Sequence, residues 1–521
     1  MTKDNIKTVK DTINGFINLT LKLKNIDDEN LLQESFVKIQ EKVISLGEFL
    51  EKQKNPQDER QIVRLNLIGK LEAICEILYE FSLHKCNDER DFSSLADAFE
   101  EILKNMSDIV VTYRVAFLPY KAAMWDSLES VWQEFAQDER FETSVVAIPY
   151  YVANRISGEW EFNYDGDIFP DYVPVVNYEQ YDLSVMKPDL VFVHNPFDEF
   201  NNVTSVNPIY YSAELKKHCG KLIYLPYYVN AGILTEGYVN LPLLRRADYI
   251  VLQSERMKEG CRDYPYYDRI LPYGSPKFDK IISCMKDAEF PKEWDIKEDM
   301  ASKKRLLLNT TISDLLRNNS KLIAKLKAFF ALVKDRDDVI IVWRPHPLLE
   351  ATLKSMRTEL YEDYLSLINF FLDNGVGIMD KTGDVAKAIA ACDAYIGSSY
   401  SSMIALFEAA NKPIYAFDSE NYMMENSAAE KLLMENSAAE KPATEGNFDE
   451  IFYKNGEFGF FMSRESDGYR FEDFLEDLVL GRLEKIKEKE AIAAHEMNAS
   501  PMGDCGRKVY EHLSGEILDE A

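Results

Sequence analysis

Two residues suited to binding an anion follow a predicted strand in the second half of the chain. The apolar run 339–343 is typical of a buried strand, and Arg344-Pro345-His346-Pro347 comes directly after it. Each proline biases the residue before it towards extended geometry, so Arg344 and His346 are held at the carboxyl end of the strand. Arg344 can donate a forked pair of hydrogen bonds to phosphate, and His346 can donate to a phosphate oxygen or stabilise leaving-group charge. The pattern predicts a phosphate site, and a turn with a structural histidine is the alternative.

A serine-rich turn offers further phosphate ligands. The short predicted strand 393–396 runs through Gly397 and the segment 398–402 into a predicted helix. Small hydroxyl residues and free N–H groups at a helix N-terminus form a cradle for phosphate. Ordinary helix capping by serine is the alternative interpretation. The residues that we expect to bind the donor phosphates here are Ser398, Ser399, Ser401 and Ser402.

Two more side chains complete the candidate site. Glu408 lies two turns into the helix after the serine turn, where a carboxylate can accept hydrogen bonds from ribose hydroxyls; a solvated helix charge is the alternative. His194 ends the predicted strand 188–194 in the first half of the chain. A histidine with a pKa near 6.5 can take a proton from an acceptor hydroxyl at neutral pH, so His194 is the predicted base. Asp198 and Glu199 follow closely and are alternatives.

Aromatic residues are concentrated in the first half of the chain. Rings with hydroxyl edges suit a polyol or sugar acceptor, although packing accounts for most tyrosines in folded proteins. Lys121 and Trp125 are weaker candidates of the same kind. The tyrosines concerned are Tyr150, Tyr151, Tyr164, Tyr172, Tyr178, Tyr181, Tyr210, Tyr211, Tyr227 and Tyr228.

The elements that must position these residues fall into four segments. Residues 1–108 have helical periodicity throughout. Strands and helices alternate in 109–285 and again in 286–480, and residues 481–521 form a helical tail. Alternation of this kind predicts parallel sheets, so we expect an α/β fold of two Rossmann-like lobes preceded by an all-helical region. Ligands of such sheets bind at the carboxyl ends of the strands, in the cleft between the lobes.

Four short motifs occur in the order found in one known family. They are Gly274-Ser275-Pro276-Lys277-Phe278-Asp279, Arg344-Pro345-His346-Pro347, the turn 398–402 and Lys412-Pro413-Ile414. Across about 220–418 the chain resembles the C-terminal lobe of CDP-glycerol glycerophosphotransferases, GT-B-fold enzymes that extend teichoic-acid-like polymers. The resemblance implies a GT-B-like fold and a donor lobe for a cytidine-diphosphate-linked alcohol, with His346 and Ser401 or Ser402 near the pyrophosphate.

The chain departs from this family at two points. The family has a His-Gly-Thr turn, thought to supply the base, where this chain has Leu225 to Gly232 without a histidine. It commonly has Asp-Tyr-Ser-Ser where this chain has Ser399-Tyr400-Ser401-Ser402. The first difference leaves the base to another residue, and the second removes an acid from the donor side.

Composition limits the partners. The formal charge of −29 disfavours a nucleic-acid binder, because phosphate backbones are bound by clustered Lys and Arg. Seven scattered cysteines without a C-x-x-C pair, and no predicted signal peptide or membrane span, favour a cytoplasmic location, with contact at the inner membrane face left open. No metal cluster is predicted and no cofactor is required, although a loosely held Mg²⁺ stays open.

These patterns lead to one functional hypothesis and one alternative. We expect a transferase that moves a glycerol-phosphate-like or glycosyl group from a nucleotide-diphosphate donor to a hydroxyl of a polyol or cell-surface glycan precursor. The alternative is a non-catalytic GT-B-like module that binds a nucleotide or a partner. The tandem repeat at 424–433 and 434–443 is interpreted as a surface insertion.

Overall fold

The computed structural model divides into two compact units. The first comprises Met1–Arg114 and Asp138–Glu142, and the second comprises Val115–Gln137 and Thr143–Ala521. Ser399 and the repeat at 424–443 lie outside the described residues, so the interpretations of both stay predictions. The structure describes residues 1, 3–26, 28–52, 61–83, 89–106, 109, 111–154, 157–229, 234–287, 289–296, 298–398, 401–416, 462–464, 471–483 and 502–519.

The first unit is built from four long helices. On the second of them, Phe36, Ile39, Val43 and Leu46 are all buried. Their spacing of three and four residues places them on one face, which explains why an amphipathic segment forms a helix here. Within the described part of the chain, no helix has the length and apolar character to cross a bilayer. The four helices are α1 Lys3–Leu23, α2 Glu29–Lys52, α3 Gln61–Leu83 and α4 Glu89–Asn105.

The first lobe, residues 113–275, contains ten strands and six short helices. The strands are β1 Tyr113–Leu118, β2 Phe141–Ala147, β3 Tyr150–Ala153, β4 Trp160–Asn163, β5 Val175–Asn177, β6 Leu190–Val193, β7 Thr204–Val206, β8 Lys221–Tyr224, β9 Tyr249–Val251 and β10 Ile270–Leu271. The helices are α5 Glu129–Gln137, α6 Leu183–Met186, α7 Ser212–His218, α8 Glu236–Val239, α9 Pro242–Arg246 and α10 Glu255–Glu259.

Seven of these strands form the main sheet of the first lobe. Its order is β10-β9-β8-β6-β1-β2-β5, and β6 pairs in parallel with both β1 and β8. All four residues of β6 are buried, as expected for a strand covered on both faces. The strand order reverses between β1 and β6, so the connections after these two strands diverge and leave a crevice at their carboxyl ends.

A small antiparallel sheet of order β4-β3-β7 follows the carboxyl ends of β2 and β6 in the chain. Its three strands have three or four residues each. On β4, Trp160 and Phe162 are 46% and 57% exposed. Their shared parity places both on the same face of the sheet.

The second lobe contains a six-stranded parallel sheet. Its order is β13-β12-β11-β14-β15-β16, so the strands follow the sequence 3-2-1-4-5-6 of a Rossmann sheet. Its strands are β11 Lys304–Thr310, β12 Val339–Pro345, β13 Gly377–Met379, β14 Ala394–Gly397, β15 Ile414–Ala416 and β16 Met462–Arg464. The helices from here to the end are α11 Pro276–Asp287, α12 Glu298–Ala301, α13 Ile312–Val333, α14 Leu349–Met356, α15 Thr358–Asp373, α16 Val385–Ala391, α17 Met403–Ala409, α18 Phe471–Val479 and α19 Cys505–Asp519.

The last helix returns to the first lobe. Helix α19 packs on α5, with the Tyr510 and Phe135 rings 5.1 Å apart. The carboxylate of Asp279, on α11, accepts hydrogen bonds from the backbone N–H groups of Cys505 and Gly506 and from the Ser130 hydroxyl. One buried aspartate therefore joins the helix between the lobes to the start of α19 and to α5.

The predicted fold class is confirmed. The chain has an α/β, GT-B-like fold of two Rossmann-like lobes with parallel sheets, preceded by an all-helical region. The strands β3, β4 and β7 were not predicted from the sequence, because such short runs carry too little periodicity.

Candidate functional site

The predicted donor residues lie at the ends of adjacent strands in the second lobe. The strand order reverses between β11 and β14, and β12 pairs with β11 on its other side. Arg344 and His346 end β12, Thr310 ends β11, and Ser398 follows β14. Because the three strands are parallel, their carboxyl ends meet at one edge of the sheet. This is the edge where ligands of doubly wound sheets bind.

Arg344 is oriented by an ion pair. Its Nη1 lies 2.6 Å from Oδ2 of Asp380, whose side chain is fully buried. Oδ1 of Asp380 accepts hydrogen bonds from the Trp294 indole N–H and the Thr382 backbone N–H, at 2.9 Å each. The described residues provide no acceptor for Nη2 or Nε of Arg344. Arg344 is therefore fixed on one side and retains donors for an anion on the other.

His346 is exposed, and one bond defines its tautomer. Its backbone N–H donates to the Thr310 carbonyl at 2.9 Å, which ties the end of β12 to the end of β11. Its Nδ1 accepts a hydrogen bond from the backbone N–H of Leu348 at 3.2 Å. Partial desolvation lowers the pKa of His346, so the neutral ring prevails at pH 7. With Nδ1 as the acceptor, the proton of the neutral ring lies on Nε2, a donor available to a phosphate oxygen.

The serine turn is joined to Arg344 through Asn309. The Asn309 amide donates to the Arg344 carbonyl at 3.1 Å and accepts from the Ser401 hydroxyl at 3.1 Å. Ser401 is buried and its oxygen also accepts from the Met403 N–H, so it caps the following helix. Ser398 is buried too, whereas Ser402 is exposed. Among the described serines of this turn, Ser402 is the exposed one. Ser401 positions the turn.

Gly397 allows the close packing of this turn. A Cβ at this position would overlap the Tyr395 hydroxyl and lie 2.7 Å from Cζ of the same ring and 3.0 Å from the Asn309 carbonyl oxygen. Real Cβ atoms do not approach other atoms this closely. Glycine is thus required where β14 passes into the turn.

Glu408 lies in α17, the helix that follows the serine turn. Its Oε1 is buried and has no hydrogen-bond partner among the described residues. Burial raises the pKa of Glu408 to about 7. A buried carboxyl oxygen without a partner is unfavourable, and a ligand hydroxyl is one group that would supply the missing donor. This geometry fits a hydroxyl-bearing ligand better than it fits the alternative of a solvated helix charge.

The geometry disfavours His194 as the base. Its position is as predicted, at the carboxyl end of β6, but the side chain is completely buried. Its Nε2 accepts from the Tyr120 backbone N–H at 3.2 Å, and its Nδ1 lies 3.0 Å from the Ser127 hydroxyl. That hydroxyl donates to the Met124 carbonyl, so Nδ1 of His194 is the donor. Desolvation lowers the pKa of His194 to about 3. Both ring nitrogens are engaged, and the residue lacks a free lone pair for an acceptor proton.

The alternative base Asp198 has a structural role. It is buried, and its carboxylate accepts hydrogen bonds from the backbone N–H and the hydroxyl of Ser212 at the start of α7. Arg246 lies 3.4 Å away as its ion-pair partner. Glu199 is exposed and lies beside a groove described below.

Asp165, which sequence reasoning missed, lies at the carboxyl edge of the first lobe. Its carboxylate accepts from the Ala122 backbone N–H at 3.1 Å and from the Tyr150 hydroxyl at 2.9 Å. The Lys121 ammonium lies 5.0 Å from the centre of the Tyr150 ring, and the charge of Asp165 raises the pKa of Lys121 against the larger lowering by desolvation. An aspartate inside an irregular segment has no sequence signature. Its proximity to the end of β1 depends on the fold.

The aromatic candidates separate into core and surface. Trp125 is buried and contacts the Trp132 ring at 5.6 Å, so it is a core residue and not an acceptor ligand. Tyr150, Tyr181 and Tyr210 are buried, whereas Tyr172 is 53% exposed. The remaining predicted tyrosines, which are partly exposed, are Tyr151, Tyr164, Tyr178, Tyr211, Tyr227 and Tyr228.

The loop that begins at Leu225 packs between the lobes. Tyr227 contacts the Tyr120 and His194 rings, with centroids 6.2 and 6.0 Å apart. Val229 is buried in a cluster that also contains Met403 of the second lobe. Residues 230–232 lie outside the described part. The described half of this loop is apolar and aromatic, so it offers no base.

No group of three or more His, Cys, Asp or Glu side chains among the described residues is arranged to hold a metal ion. A Mg²⁺ brought in with a diphosphate stays a prediction.

Comparisons with known proteins give structural similarity at low sequence identity. No protein-family model matches the chain, and no curated protein matches it in sequence. The wall teichoic acid polymerase TagF is similar with a TM-score of 0.48 and 12% identity, over 88% of this chain and 98% of that one. A UDP-N-acetylglucosamine 2-epimerase has a TM-score of 0.46 and 14% identity, over 77% and 95%. The MnaA protein of S. aureus, solved with UDP, has a TM-score of 0.46 and 12% identity, over 78% and 97%. With every TM-score quoted below 0.5, the assignment of the fold rests on the topology described above.

Proposed function

We propose that this protein is a transferase that moves a glycosyl or glycerol-phosphate-like group from a nucleotide-diphosphate donor to a hydroxyl of an acceptor. The observation that carries the proposal is the edge of the second-lobe sheet. There Arg344, His346 and the turn before α17 come together where the strand order reverses. A CDP-linked alcohol remains our first choice of donor because of the sequence motifs, and UDP- and GDP-linked donors are the competitors.

Different residues of the second lobe would bind different parts of the donor. Arg344 and the Nε2 proton of His346 would bind the diphosphate and would stabilise the charge that develops on the leaving nucleotide. The exposed hydroxyl of Ser402 adds a donor on the same edge. We retain the proposal that the donor phosphates lie near Ser398, Ser399 and Ser401. Ser401 would act indirectly, by positioning the turn. Glu408 would accept a hydrogen bond from the ribose.

The reaction also needs a proton acceptor in the first lobe. Asp165 replaces His194 in our proposal, because its carboxylate is partly exposed at the edge where β1 ends. The acceptor oxygen would attack the electrophilic centre of the donor while its proton passes to Asp165. The bond to the nucleotide phosphate breaks, and the leaving charge stays with Arg344 and His346. Positioning and electrostatic stabilisation then supply most of the rate enhancement.

One observation favours a non-catalytic nucleotide-binding module instead. The residue that sequence reasoning chose as base is buried and has both ring nitrogens engaged. A module of this kind would bind nucleotides at the same second-lobe edge without turnover. Turnover of a bound donor separates the two functions.

The test is a thermal-shift screen with CDP-, UDP- and GDP-linked donors. A ligand at 100 times its Kd stabilises the folded state by about 2.7 kcal/mol, which is well within reach of the method. We expect one donor class to raise the Tm of the wild type and to raise it less in His346→Ala. Arg357→Ala, at a surface ion pair of the same lobe, should respond as the wild type does. If every donor leaves the wild-type Tm unchanged, or if His346→Ala responds fully, the donor site is refuted.

A further inference from the structure

The first lobe carries a groove that the donor site does not use. Its volume is about 1070 Å³, enough for several sugar rings. It lies between the segment that follows β5, the turn Pro208–Tyr210 before α7, and α7 itself. All of these elements belong to the lobe that contains Asp165.

Tyrosine rings form much of the wall of this groove. Tyr178, Tyr181, Tyr210 and Tyr211 all line it. Burial raises the pKa of Tyr210 to about 12, so its hydroxyl keeps its proton at neutral pH. Rings that combine an apolar face with a hydroxyl edge suit ligands that are apolar on one face and hydroxylated at the rim. Sugars have this character.

The charges of the groove are mainly negative. Glu179, Asp182, Glu199 and Glu214 line it, against His218 and Arg246. Arg246 is already shared between Asp198, at 3.4 Å, and the Ser212 hydroxyl, at 3.0 Å. A chain of phosphodiesters would meet three carboxylates besides that of Glu214, which is paired with Lys217 at 2.6 Å. One engaged arginine and one histidine offset these charges. Like charges brought together in this way cost binding energy.

Contacts of two lining tyrosines connect the wall of the groove to other parts of the first lobe. The Tyr178 ring lies 5.3 Å from the ring of Tyr164, the neighbour of Asp165 in sequence. In the other direction, the Tyr211 hydroxyl lies 3.0 Å from the hydroxyl of Ser205 on β7. Ser205 pairs with Tyr151, which in turn pairs with Phe162 on β4. Directly paired residues share a face, so these contacts lead onto the face that presents Trp160 and Phe162.

We propose that this groove binds the acceptor, and that the acceptor is an uncharged or amino-bearing oligosaccharide and not a polyanionic phosphodiester chain. The inference rests on the proposed transferase function and narrows its acceptor class. The sugar rings would stack on the tyrosines of the groove and on the aromatic face of β4. The carboxylates would accept hydrogen bonds from hydroxyl or ammonium groups. The end nearest Tyr164 would present a hydroxyl towards Asp165.

The test compares three oligomers of similar length by isothermal titration calorimetry. The probes are a tetramer of N-acetylglucosamine, a tetramer of glucosamine and a glycerol phosphate tetramer. We expect the first or second to bind and the third to bind at least roughly tenfold more weakly, a difference of about 1.4 kcal/mol. Tighter binding of the glycerol phosphate tetramer, or no binding of either sugar tetramer, would overturn the proposal.

Variants separate the groove from a general effect on the fold. Tyr178→Ala should weaken sugar binding roughly tenfold, in line with the contribution of an aromatic contact. Tyr79→Ala, at a 55% exposed tyrosine in the helical region, is the matched control and should bind as the wild type does. The double variant Glu179→Gln with Glu199→Gln should reduce the preference against the glycerol phosphate tetramer. An unchanged preference in this variant would show that the carboxylates do not select the ligand, and would refute the charge argument.

The outcome can be distinguished from failure of the proposed function. If the protein binds sugar, loses that binding in Tyr178→Ala and binds no nucleotide donor, the groove is supported and the transferase function is refuted. If the protein binds a nucleotide donor but no sugar, the donor site is supported and the groove proposal is refuted.

Discussion

At the scale of single residues, the candidate site depends on contacts between side chains that are far apart in the chain. Arg344 and His346 were expected at the end of a strand, since their neighbouring prolines and the apolar run before them determine that position locally. The partner of Arg344, Asp380, lies 36 residues further along and was not predicted. His194 was expected at a strand end and lies there, but its burial depends on Tyr120 and Tyr227 from the segments that follow β1 and β8. Contacts of this range have no local pattern.

Asp165 and His194 provide a direct comparison of two candidate bases. We expect Asp165→Asn to lower turnover by roughly 10²–10⁴-fold, because it removes the proton acceptor and leaves a side chain of similar shape. His194→Gln should retain turnover at a temperature where it is folded, since that ring does not reach an acceptor. Steady-state kinetics of both variants with the stabilising donor provide the check. Loss of turnover in folded His194→Gln, with Asp165→Asn active, would reverse the assignment.

The burial of His194 also predicts a pH dependence of stability. Its pKa is lowered to about 3 in the folded protein, against about 6.5 in the unfolded chain. The unfolded state therefore binds this proton first as the pH falls. The stabilisation of the folded state that comes from the neutral His194 ring is complete above pH 6.5 and is lost progressively as the pH falls towards 3. Between pH 7 and pH 5 we expect the wild type to lose about 2 kcal/mol more free energy of unfolding than His194→Gln. Urea unfolding at both pH values measures it, and equal losses in the two proteins would contradict the neutral, buried ring.

At the scale of elements, strands with long apolar runs were predicted close to their observed bounds. The expected strand 339–343 lies within β12 Val339–Pro345, and the expected strand 188–194 contains β6 Leu190–Val193. The sheet of β3, β4 and β7 was not predicted, although the aromatic face of β4 belongs to the proposed acceptor site. The aromatic residues of β4 are exposed, and the three strands have at most four residues each, so neither a buried run nor a clear alternation marks them.

The entry into the serine turn provides a test at this scale. Gly397→Ala should lower the free energy of unfolding by about 1–3 kcal/mol, because the new Cβ would overlap the Tyr395 ring and crowd the Asn309 carbonyl. Displacement of the turn should also weaken nucleotide binding. Gly383→Ala is the matched control, since nothing lies within 4 Å of a Cβ there. Equal stability and equal nucleotide affinity of the two variants, by chemical denaturation and calorimetry, would argue that the turn tolerates a shift.

At the scale of the whole molecule, alternation of strands and helices was enough to predict two Rossmann-like lobes. The order of the strands within each sheet was beyond reach of the sequence, and it is this order that locates the two crevices. The return of α19 to the first lobe was also unpredicted. It depends on Asp279 binding two backbone N–H groups more than 220 residues away.

The proposed function requires that the edge of the second-lobe sheet binds the phosphates of a nucleotide donor. The most direct test is calorimetry of a nucleoside and its diphosphate, cytidine with CDP or uridine with UDP, on the wild type and on Arg344→Lys. Lysine keeps the charge beside Asp380 but lacks the forked donor geometry. We predict that the diphosphate binds the wild type more tightly than the nucleoside does, and that this difference shrinks by about 1.5–3 kcal/mol in Arg344→Lys while nucleoside binding is unchanged. If the phosphates strengthen binding equally in the wild type and in Arg344→Lys, the proposed phosphate site is wrong.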